Sequence, residues 1–132
     1  MSKFIWCSVH VPSAEQISEL KSEWWDMHDE LVMLKDIYPS TQEFLNNCSD
    51  EYDDLVQHAK DLHEIARSEN AVLVQVGGSL AFQYVFGKIR MTNFNVTSVL
   101  YAHSERVSED IPQEDGSVKK VSIFKHKRFI SV

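Results

Sequence analysis

Two adjacent glycines and a serine, Gly77-Gly78-Ser79, stand where a run of strand-favouring residues gives way to a helical pattern. Free backbone N–H groups and the helix dipole favour phosphate oxygens at a helix start, and glycine lets an anion approach the backbone closely. A plain short turn, with Ser79 capping the next helix, explains the same residues equally well. The motif is neither the GxGxxG fingerprint nor a P-loop, so it supports neither a nicotinamide nor a nucleoside triphosphate.

Two further polar segments are predicted to follow strands at the same edge of a parallel sheet. His10 comes directly after the first strand, where a histidine can bind phosphate or act as a general acid, although most histidines in such places are ordinary loop residues. Ser104, Glu105 and Arg106 are predicted to leave the fourth parallel strand. The Arg106 guanidinium could hold a phosphate through two hydrogen bonds, or it could pair with Glu105 or Glu109.

The last predicted strand carries basic residues on both of its faces. By the two-residue period of a strand, Phe124, His126 and Arg128 share one face, and Lys125 and Lys127 share the other. Cations on both faces either protect an edge strand from pairing with another chain or form a surface for an anion.

Other combinations of reactive side chains give little support to a metal site or a built-in nucleophile. His58 and His63 are five residues apart and do not share a helix face, and both, like the cluster 28–30, are interpreted as solvated surface. Cys7 and Cys48 form no CxxC or Cys/His pattern, which favours a reduced, cytoplasmic protein. We expect no metal and no cofactor.

The length and charge of the chain limit its class. Its 132 residues suit one domain, 1–132, which is expected to be soluble because the sequence has no signal peptide and no apolar run long enough to span a membrane. The net charge of −7 argues against a general duplex-binding protein. Residues 1–70 hold 15 acidic and 5 basic residues, whereas residues 71–132 hold 5 acidic and 8 basic residues, so an anionic ligand is expected on the second half.

The first elements that must position these residues are a strand and a helix. Residues 3–9 are typical of a buried strand. Ser13 and Gln16 fit a capping box at the start of a helix over about 13–25. Residues 31–34 are consistent with a second buried strand or with a continuation of that helix.

The remaining elements alternate in type along the chain. In order they are a helix over 39–45, a helix capped by Ser49 or Asp50 and ending near 68, a strand over 71–76, a helix over 79–89, a turn at 93–95, a strand over 96–102, and a hairpin of 104–110 with 118–130 around Asp115-Gly116. This order predicts an α/β fold, a three-layer sandwich with a mostly parallel sheet and a C-terminal antiparallel hairpin.

Four segments are together similar to one protein family: SVHVPSAEQI, VLVQVGGSLAFQYVF, VLYAHSERVSED and DGSVKKVSIFKHKRF. They resemble the small CRISPR-associated accessory proteins of type III systems that have a CARF-like Rossmannoid fold and are grouped with the ring nucleases, in particular the Csx-twenty family. The matching positions are His10, Gln16, Gln75, Gly78, Ser104, Glu105, Arg106, Phe124, Lys125, His126, Arg128 and Phe129.

The chain departs from the family pattern at three places. The family turn Gly-Asp-x-Gly-Ala-Thr is replaced by 76–81, which lacks the acid and the Thr; His103-Ser104 replaces Thr-Thr; and 130–132 replaces the terminal Arg-x-Tyr.

The resemblance implies a homodimer that binds a cyclic oligoadenylate, preferably cyclic tetra-adenylate. It also implies that a ribose 2′-hydroxyl of the ligand opens the ring without a metal, switching off type III CRISPR signalling. The residues expected to take part in catalysis are His10, Arg106 and Ser79; those expected to bind the ligand are Val11, Gln75, Gly77, Gly78, Ser104, Glu105, His126 and Arg128. The missing Asp and Thr favour an alternative, a protein that sequesters or senses the ring without cleaving it. A structural interaction module with no nucleotide is a third possibility.

Overall fold

The computed structural model describes residues 2–24, 28–92 and 97–132, and for residues 2, 28 and 29 only the backbone. It contains five strands, five α-helices and one π-helical turn within those residues. In chain order these are β1 Ser2–Trp6, α1 Ala14–Glu19, the π-helical turn Leu20–Trp24, β2 His28–Met33, α2 Leu34–Ile37, α3 Pro39–Asn46, α4 Tyr52–Ser68, β3 Ala71–Val74, α5 Leu80–Thr92, β4 Val99–Pro112 and β5 Val118–Ser131.

All five strands form one sheet in the order β2-β1-β3-β4-β5. The first four strands are parallel to their neighbours, and β5 is antiparallel to β4 at the edge. The predicted α/β class, with a mostly parallel sheet and a C-terminal antiparallel hairpin, is therefore confirmed as a Rossmann-like sandwich.

Apolar side chains alternate between the two faces of the sheet and create two cores. Ile5, Leu73 and Val99 point toward one face, where they pack with apolar residues of α3, α4 and α5. The other face carries Phe4, Trp6, Val74 and Leu100, which pack with Leu20 and Phe129. The sheet is thus covered by α3, α4 and α5 on one side and by α1 with its π-helical turn on the other.

The amino-terminal elements differ from the predictions mainly at their ends. The Ser13–Gln16 capping box is confirmed, but the helix becomes π-helical at Leu20, and residue 25 lies outside the described residues. Of the two predictions for 31–34, the strand is confirmed as part of β2. The short helix α2 was not predicted, and α4 begins after Glu51, so Ser49 and Asp50 do not cap it.

The solvated surface predicted for the helix histidines is wrong for His63. Its ring is buried between α4 and α5, stacked on Phe86, with Nδ1 3.0 Å from Thr97 Oγ1 and Nε2 3.1 Å from the Phe86 carbonyl. Burial lowers the pKa of His63, against the opposing effect of the Phe86 carbonyl. His58 is half-buried and stacks on Phe44.

The fourth strand is longer than predicted and carries the hairpin out of the sheet. Residues 96–102 and 104–110 were expected to be separate strands, but β4 is continuous from Val99 to Pro112; the predicted turn at 93–95 lies outside the described residues. β3 pairs only with the start of β4, at Val99 and Leu100, so the rest of the hairpin is a two-stranded ribbon. We call residues 103–128 the arm.

Residues 103–112 rise ~3.3 Å each, which makes the arm about 30 Å long. No helix in the described part of the chain is long and apolar enough to cross a membrane.

Candidate functional site

The carboxyl ends of β1 and β3 lie side by side and form what we call the rim. The two strands stay joined beyond their last paired residues: the Cys7 N–H donates to the Val74 carbonyl at 2.9 Å, and the Gly77 N–H donates to the Cys7 carbonyl at 3.2 Å. From here β1 leads to α1 on one face of the sheet, and β3 leads to α5 on the opposite face. Neighbouring crossovers that part to opposite faces leave a crevice, the usual ligand position in open α/β sheets.

The Gly-Gly-Ser turn at the rim needs glycine at its second position. Gly78 has a φ of +111°, and a Cβ there would lie 2.7 Å from the Phe82 Cδ1 and 3.3 Å from the Cys48 Sγ. Gly77 is less constrained, since a Cβ there would meet the Cys7 carbonyl at an ordinary 3.4 Å. The turn is therefore shaped by the packing of Phe82 beneath it.

Ser79 caps α5, as the simpler interpretation of the motif predicted. Its Oγ accepts a hydrogen bond from the Phe82 N–H at 3.1 Å, and its carbonyl accepts one from the Gln83 N–H at 2.9 Å. The Ser79 N–H points to the Cys48 Sγ at 3.4 Å. Within the described residues, the N–H groups of Leu80 and Ala81 have no acceptor, and both residues are exposed. The start of α5 therefore offers two backbone donors to solvent.

Two residues that the sequence analysis did not single out hold the turn from below. Gln83 Nε2 donates to the carbonyls of Val76 and Gly77 at 2.5 and 2.7 Å, and its Oε1 accepts from the Tyr101 hydroxyl at 2.7 Å. Burial raises the pKa of Tyr101 to about 12, so this hydroxyl remains a donor at neutral pH. An amide four residues after Ser79, in an otherwise apolar helix, was the signal that could have identified Gln83.

Gln75 lies at the rim, but its backbone N–H and its side-chain oxygen already form hydrogen bonds with β4. Its backbone is left-handed, with φ of +55°, and its N–H donates to the Leu100 carbonyl at 2.7 Å. Its Oε1 accepts from the Ala102 N–H at 2.8 Å, extending the pairing of β3 with β4 by one side chain. The ligand-binding role predicted for Gln75 would fall to its Nε2 alone.

His10 and Val11 lie on the loop that leaves β1 at the rim, as predicted. The loop is fixed by the Trp6 indole, whose Nε1 donates to the His10 carbonyl at 2.6 Å. The His10 side chain is exposed, and Val11 keeps 76% of its surface accessible. The loop that holds His10 and Val11 and the segment 75–79 therefore start at the same rim, joined by the Cys7–Gly77 hydrogen bond. Among the described residues, no contact joins the His10 side chain to the turn.

The three predicted residues 104–106 are placed elsewhere. They do not leave a strand at the rim, because β4 continues through them: Ser104 lies opposite His126 and Arg106 opposite Phe124. The prediction failed because nothing in the local sequence ends β4 at Ala102. The expected pairing of Arg106 with Glu105 or Glu109 is absent from the described ion pairs; those carboxylates pair with Lys127 at 3.4 Å and Lys125 at 3.1 Å.

Arg106 instead places its guanidinium carbon 5.0 Å from the centre of the Phe124 ring. Among the described residues, no recorded contact joins Arg106 to His10 or to the Gly-Gly-Ser turn. Convergence of Arg106 with the rim is therefore not observed.

His126 is held by a carboxylate rather than facing the turn. Its Nε2 lies 2.8 Å from the Glu19 Oε1, and the second oxygen of Glu19 accepts from the Phe129 N–H at 2.7 Å. Burial alone raises the pKa of Glu19, but the hydrogen bonds from Phe129 and His126 outweigh it and lower the pKa. The adjoining surface groove is lined by Glu15 and Glu23 as well, so it is poorly suited to a phosphate.

The predicted shared face of His126 and Arg128 is wrong because a β-bulge separates them. Arg128 lies opposite His103 and His126 opposite Ser104, so Lys127 between them has no partner across the ladder. The face is shared instead by His126 and Phe129, whose rings are 4.9 Å apart. The exposed Arg128 has turned away from His126.

No group of three or more His, Cys, Asp or Glu side chains lies close enough to hold a metal ion within the described part of the chain. Burial raises the pKa of the Cys7 thiol to about 12, which leaves it an unreactive core residue. Among the described residues, the donors at the rim include the N–H groups of Leu80 and Ala81 and the exposed side chain of His10.

Comparison with known proteins places the chain in a family. The family model described as the uncharacterized protein MJ1673 family matches residues 2–130, so the chain belongs to that family. No curated protein and no solved structure is significantly similar to the chain.

Proposed function

We propose that this member of the MJ1673 family binds a cyclic oligoadenylate, preferably cyclic tetra-adenylate, at the rim between β1 and β3. The observation that supports this most is the parting of α1 and α5 to opposite faces from two adjacent strands, with the open end of α5 in the crevice. The resemblance to CARF-like ring nucleases supplies the identity of the ligand, and the rim supplies a place for its phosphates.

The chemistry of the rim suits a phosphodiester. The N–H groups of Leu80 and Ala81 lie at the positive end of the α5 dipole, and Gly77 and Gly78 carry no side chain that would keep a phosphate away. His10 stands on the neighbouring loop as a donor to a phosphate oxygen. These groups bind anions without a metal.

A ring with repeating phosphates fits a two-fold pocket, so the proposal includes a homodimer. The outer surface of α5 supports this, because Leu80, Tyr84 and Met91 are 90%, 70% and 87% exposed at spacings of four and seven residues. Two α5 helices that pair side by side through these residues, running in the same direction, would bring both rims to the same end of the dimer. Each protomer would then meet an equivalent half of the ring.

Ring opening would use the ligand's own 2′-hydroxyl, which attacks the adjacent phosphorus and leaves a 2′,3′-cyclic phosphate. The 2′-hydroxyl gives up its proton to solvent as the new O–P bond forms, the departing 5′-oxygen takes up a proton, and His10 would assist this second transfer. The backbone donors of α5 would stabilise the added negative charge on the phosphorane oxygens. The reaction would switch off a cytoplasmic CRISPR signal.

Sequestration without cleavage is the second candidate, and two observations favour it. Ser79 Oγ is already used to cap α5, and Arg106 stacks on Phe124 on the arm. The rim thus has binding groups, and among its described side chains His10 is the one suited to proton transfer.

One assay separates these candidates. Radiolabelled cyclic tri-, tetra- and hexa-adenylate are incubated with the protein in EDTA, then run on native and denaturing gels. Cleavage supports the nuclease, a native shift without cleavage supports sequestration, and the absence of both for every ring rejects the proposed function.

A proline variant locates the site. Leu80→Pro removes one open N–H at the first position of α5, where proline fits a helix. Leu80→Ala keeps that N–H and is the matched control for the lost side chain. We expect Leu80→Pro to weaken binding of the ring by about tenfold, the effect of one charge-assisted hydrogen bond. Equal affinity of the two variants for the ring would show that the ligand does not bind at the start of α5.

A further inference from the structure

The arm has two faces of different character. Side chains at alternate positions point to opposite sides, and the contact of His126 with Glu19 shows which side faces α1. We call this side, with Ser104, Arg106, Ser108, Asp110, Lys120, Ser122, Phe124 and His126, the α1-side face of the arm. The opposite side continues from Tyr101, which contacts α5, and we call it the α5-side face.

Cations on the two faces have different partners. On the α5-side face, Lys125 pairs with Glu109 at 3.1 Å. Lys127, the bulge residue, pairs with Glu105 at 3.4 Å and also lines the groove beside α1. On the α1-side face, Arg106 forms no ion pair within the described residues, and its recorded partner is the ring of Phe124. The α1-side face therefore offers a positive charge that no carboxylate of the arm neutralises.

Phe124 is a large aromatic side chain that lies on the surface of the arm and not in a core. Its side chain keeps 69% of its surface accessible, and its neighbours on the same face, Ser122 and Ser108, are small and polar. The guanidinium of Arg106 stands over the ring, and the extent of exposure leaves much of the ring open to a ligand. A flat, open aromatic surface next to a guanidinium is the pairing that stacks an unpaired nucleobase and binds its phosphate.

We propose that Phe124 and Arg106 form a binding site for linear single-stranded RNA, separate from the rim. An unpaired base stacks on Phe124, and Arg106 donates to the phosphate beside it. Lys120 lies further out on the same face but directly opposite Asp110, so the proposed site consists of Phe124 and Arg106. The two serines leave room for the sugar-phosphate chain to lie along the arm. The site does not rest on the proposed function, because it uses no residue of the rim.

The test measures fluorescence anisotropy of 5′-fluorescein-labelled linear octa-adenylate titrated with the full-length protein. We expect the wild type to bind, and Phe124→Ala to raise the dissociation constant by about tenfold. Phe124→Leu, which keeps an apolar side chain but loses the aromatic surface, should bind as weakly as Phe124→Ala. Arg106→Ala should weaken binding and reduce its dependence on salt.

Controls separate this site from the rim and from non-specific attraction. Lys125→Ala removes a cation from the α5-side face and Leu80→Pro alters the rim; both should leave binding of the linear strand within twofold of wild type. A labelled 16-base-pair RNA duplex of mixed sequence should bind at least tenfold more weakly than its own labelled strand alone, because its bases are not free to stack.

Three outcomes would overturn the proposal: a wild type that does not bind the linear strand, equal binding by Phe124→Ala, or equal binding of the duplex. Circular dichroism of each variant shows that a loss of binding is not a loss of folding. If Leu80→Pro lost binding of the ring but kept binding of the linear strand, the rim and the Phe124–Arg106 site would be independent, as proposed.

Discussion

The rim and the arm belong to the same sheet, but they are held in place by different means. At the rim, the buried Phe82 lies under the turn. Gln83 donates to the Gly77 carbonyl, and Ser79 accepts from the Phe82 N–H. On the arm, strand pairing provides the order, and Phe129 and Glu19 fasten its base to α1 and the core. The difference shows that buried side chains fix the position of the rim, whereas the position of the arm depends on a few contacts at its base.

Truncation of two apolar residues of β5 would test that contrast most strongly. Phe129 is 3% exposed and packs edge-to-face on Trp6, with ring centres 6.4 Å apart. We expect Phe129→Ala to lower the free energy of unfolding by about 3–5 kcal/mol because it empties the core at the base of the arm. Ile123→Ala, on the arm itself, should lower it by about 1 kcal/mol or less. Urea unfolding measures both; similar losses would mean that the arm is packed as tightly as its base.

A glycine pair sharpens the description of the rim. Gly78→Ala should lower the free energy of unfolding by about 1–3 kcal/mol, because φ is +111° and the new Cβ meets Phe82. Gly87 is the matched control in α5, where a Cβ meets nothing within 4 Å. Gly87→Ala should raise the free energy of unfolding by roughly 0.5–1 kcal/mol. If thermal unfolding showed the same sign for both, the turn would not be strained against side chains.

Glu19, which holds the base of the arm, should make the free energy of unfolding depend on pH. The pKa of Glu19 is lowered in the folded protein, so the unfolded chain binds a proton first as the pH falls. The stability from Glu19 is present above the ordinary pKa of a glutamate and is lost as the pH falls through the lowered value.

Glu19→Gln should lower the free energy of unfolding at neutral pH by about 1–2 kcal/mol and remove this part of the acid decline. Denaturant unfolding between pH 3 and 7 measures it, with hydrogen exchange at Phe129 as the local readout. An unchanged acid decline in the variant would show that Glu19 does not anchor β5.

The smallest effect is expected at the exposed ion pair of Lys127, the bulge residue of the arm. Lys127 pairs with Glu105 at 3.4 Å, and both side chains are about half exposed. Lys127→Ala should change the free energy of unfolding by less than about 0.5 kcal/mol, because an exposed ion pair contributes little. A loss as large as that of Glu19→Gln would place the support of the arm in its ion pairs instead.

Local patterns predicted the elements of this fold well and their long-range relations less well. The Ser13–Gln16 capping box, the glycine turn before α5 and the Asp115-Gly116 hairpin are each encoded by neighbouring residues, and all three are observed. The continuation of β4 through residues 103–112 depends on pairing with β5, so the local sequence gave no sign of it.

The candidate site divides along the same line. The segments that the sequence placed after β1 and β3 begin side by side at the rim, because parallel neighbouring strands end together. Those placed after β4 do not, and the bulge at Lys127 reverses the face of Arg128. The contact of His126 with Glu19, more than a hundred residues away in the chain, follows from tertiary packing that no spacing in the sequence reveals.

Gln83 ties the two carbonyls of the turn to Tyr101 before any ligand arrives. A molecule that docks against the glycine turn therefore meets amide groups whose directions are already fixed, and little conformational freedom remains to be lost on association. Without the Gln83 side chain, the turn would be more mobile before a ligand binds. We therefore expect Gln83→Ala to make the entropy of binding less favourable, with little change in the enthalpy, as measured by calorimetry.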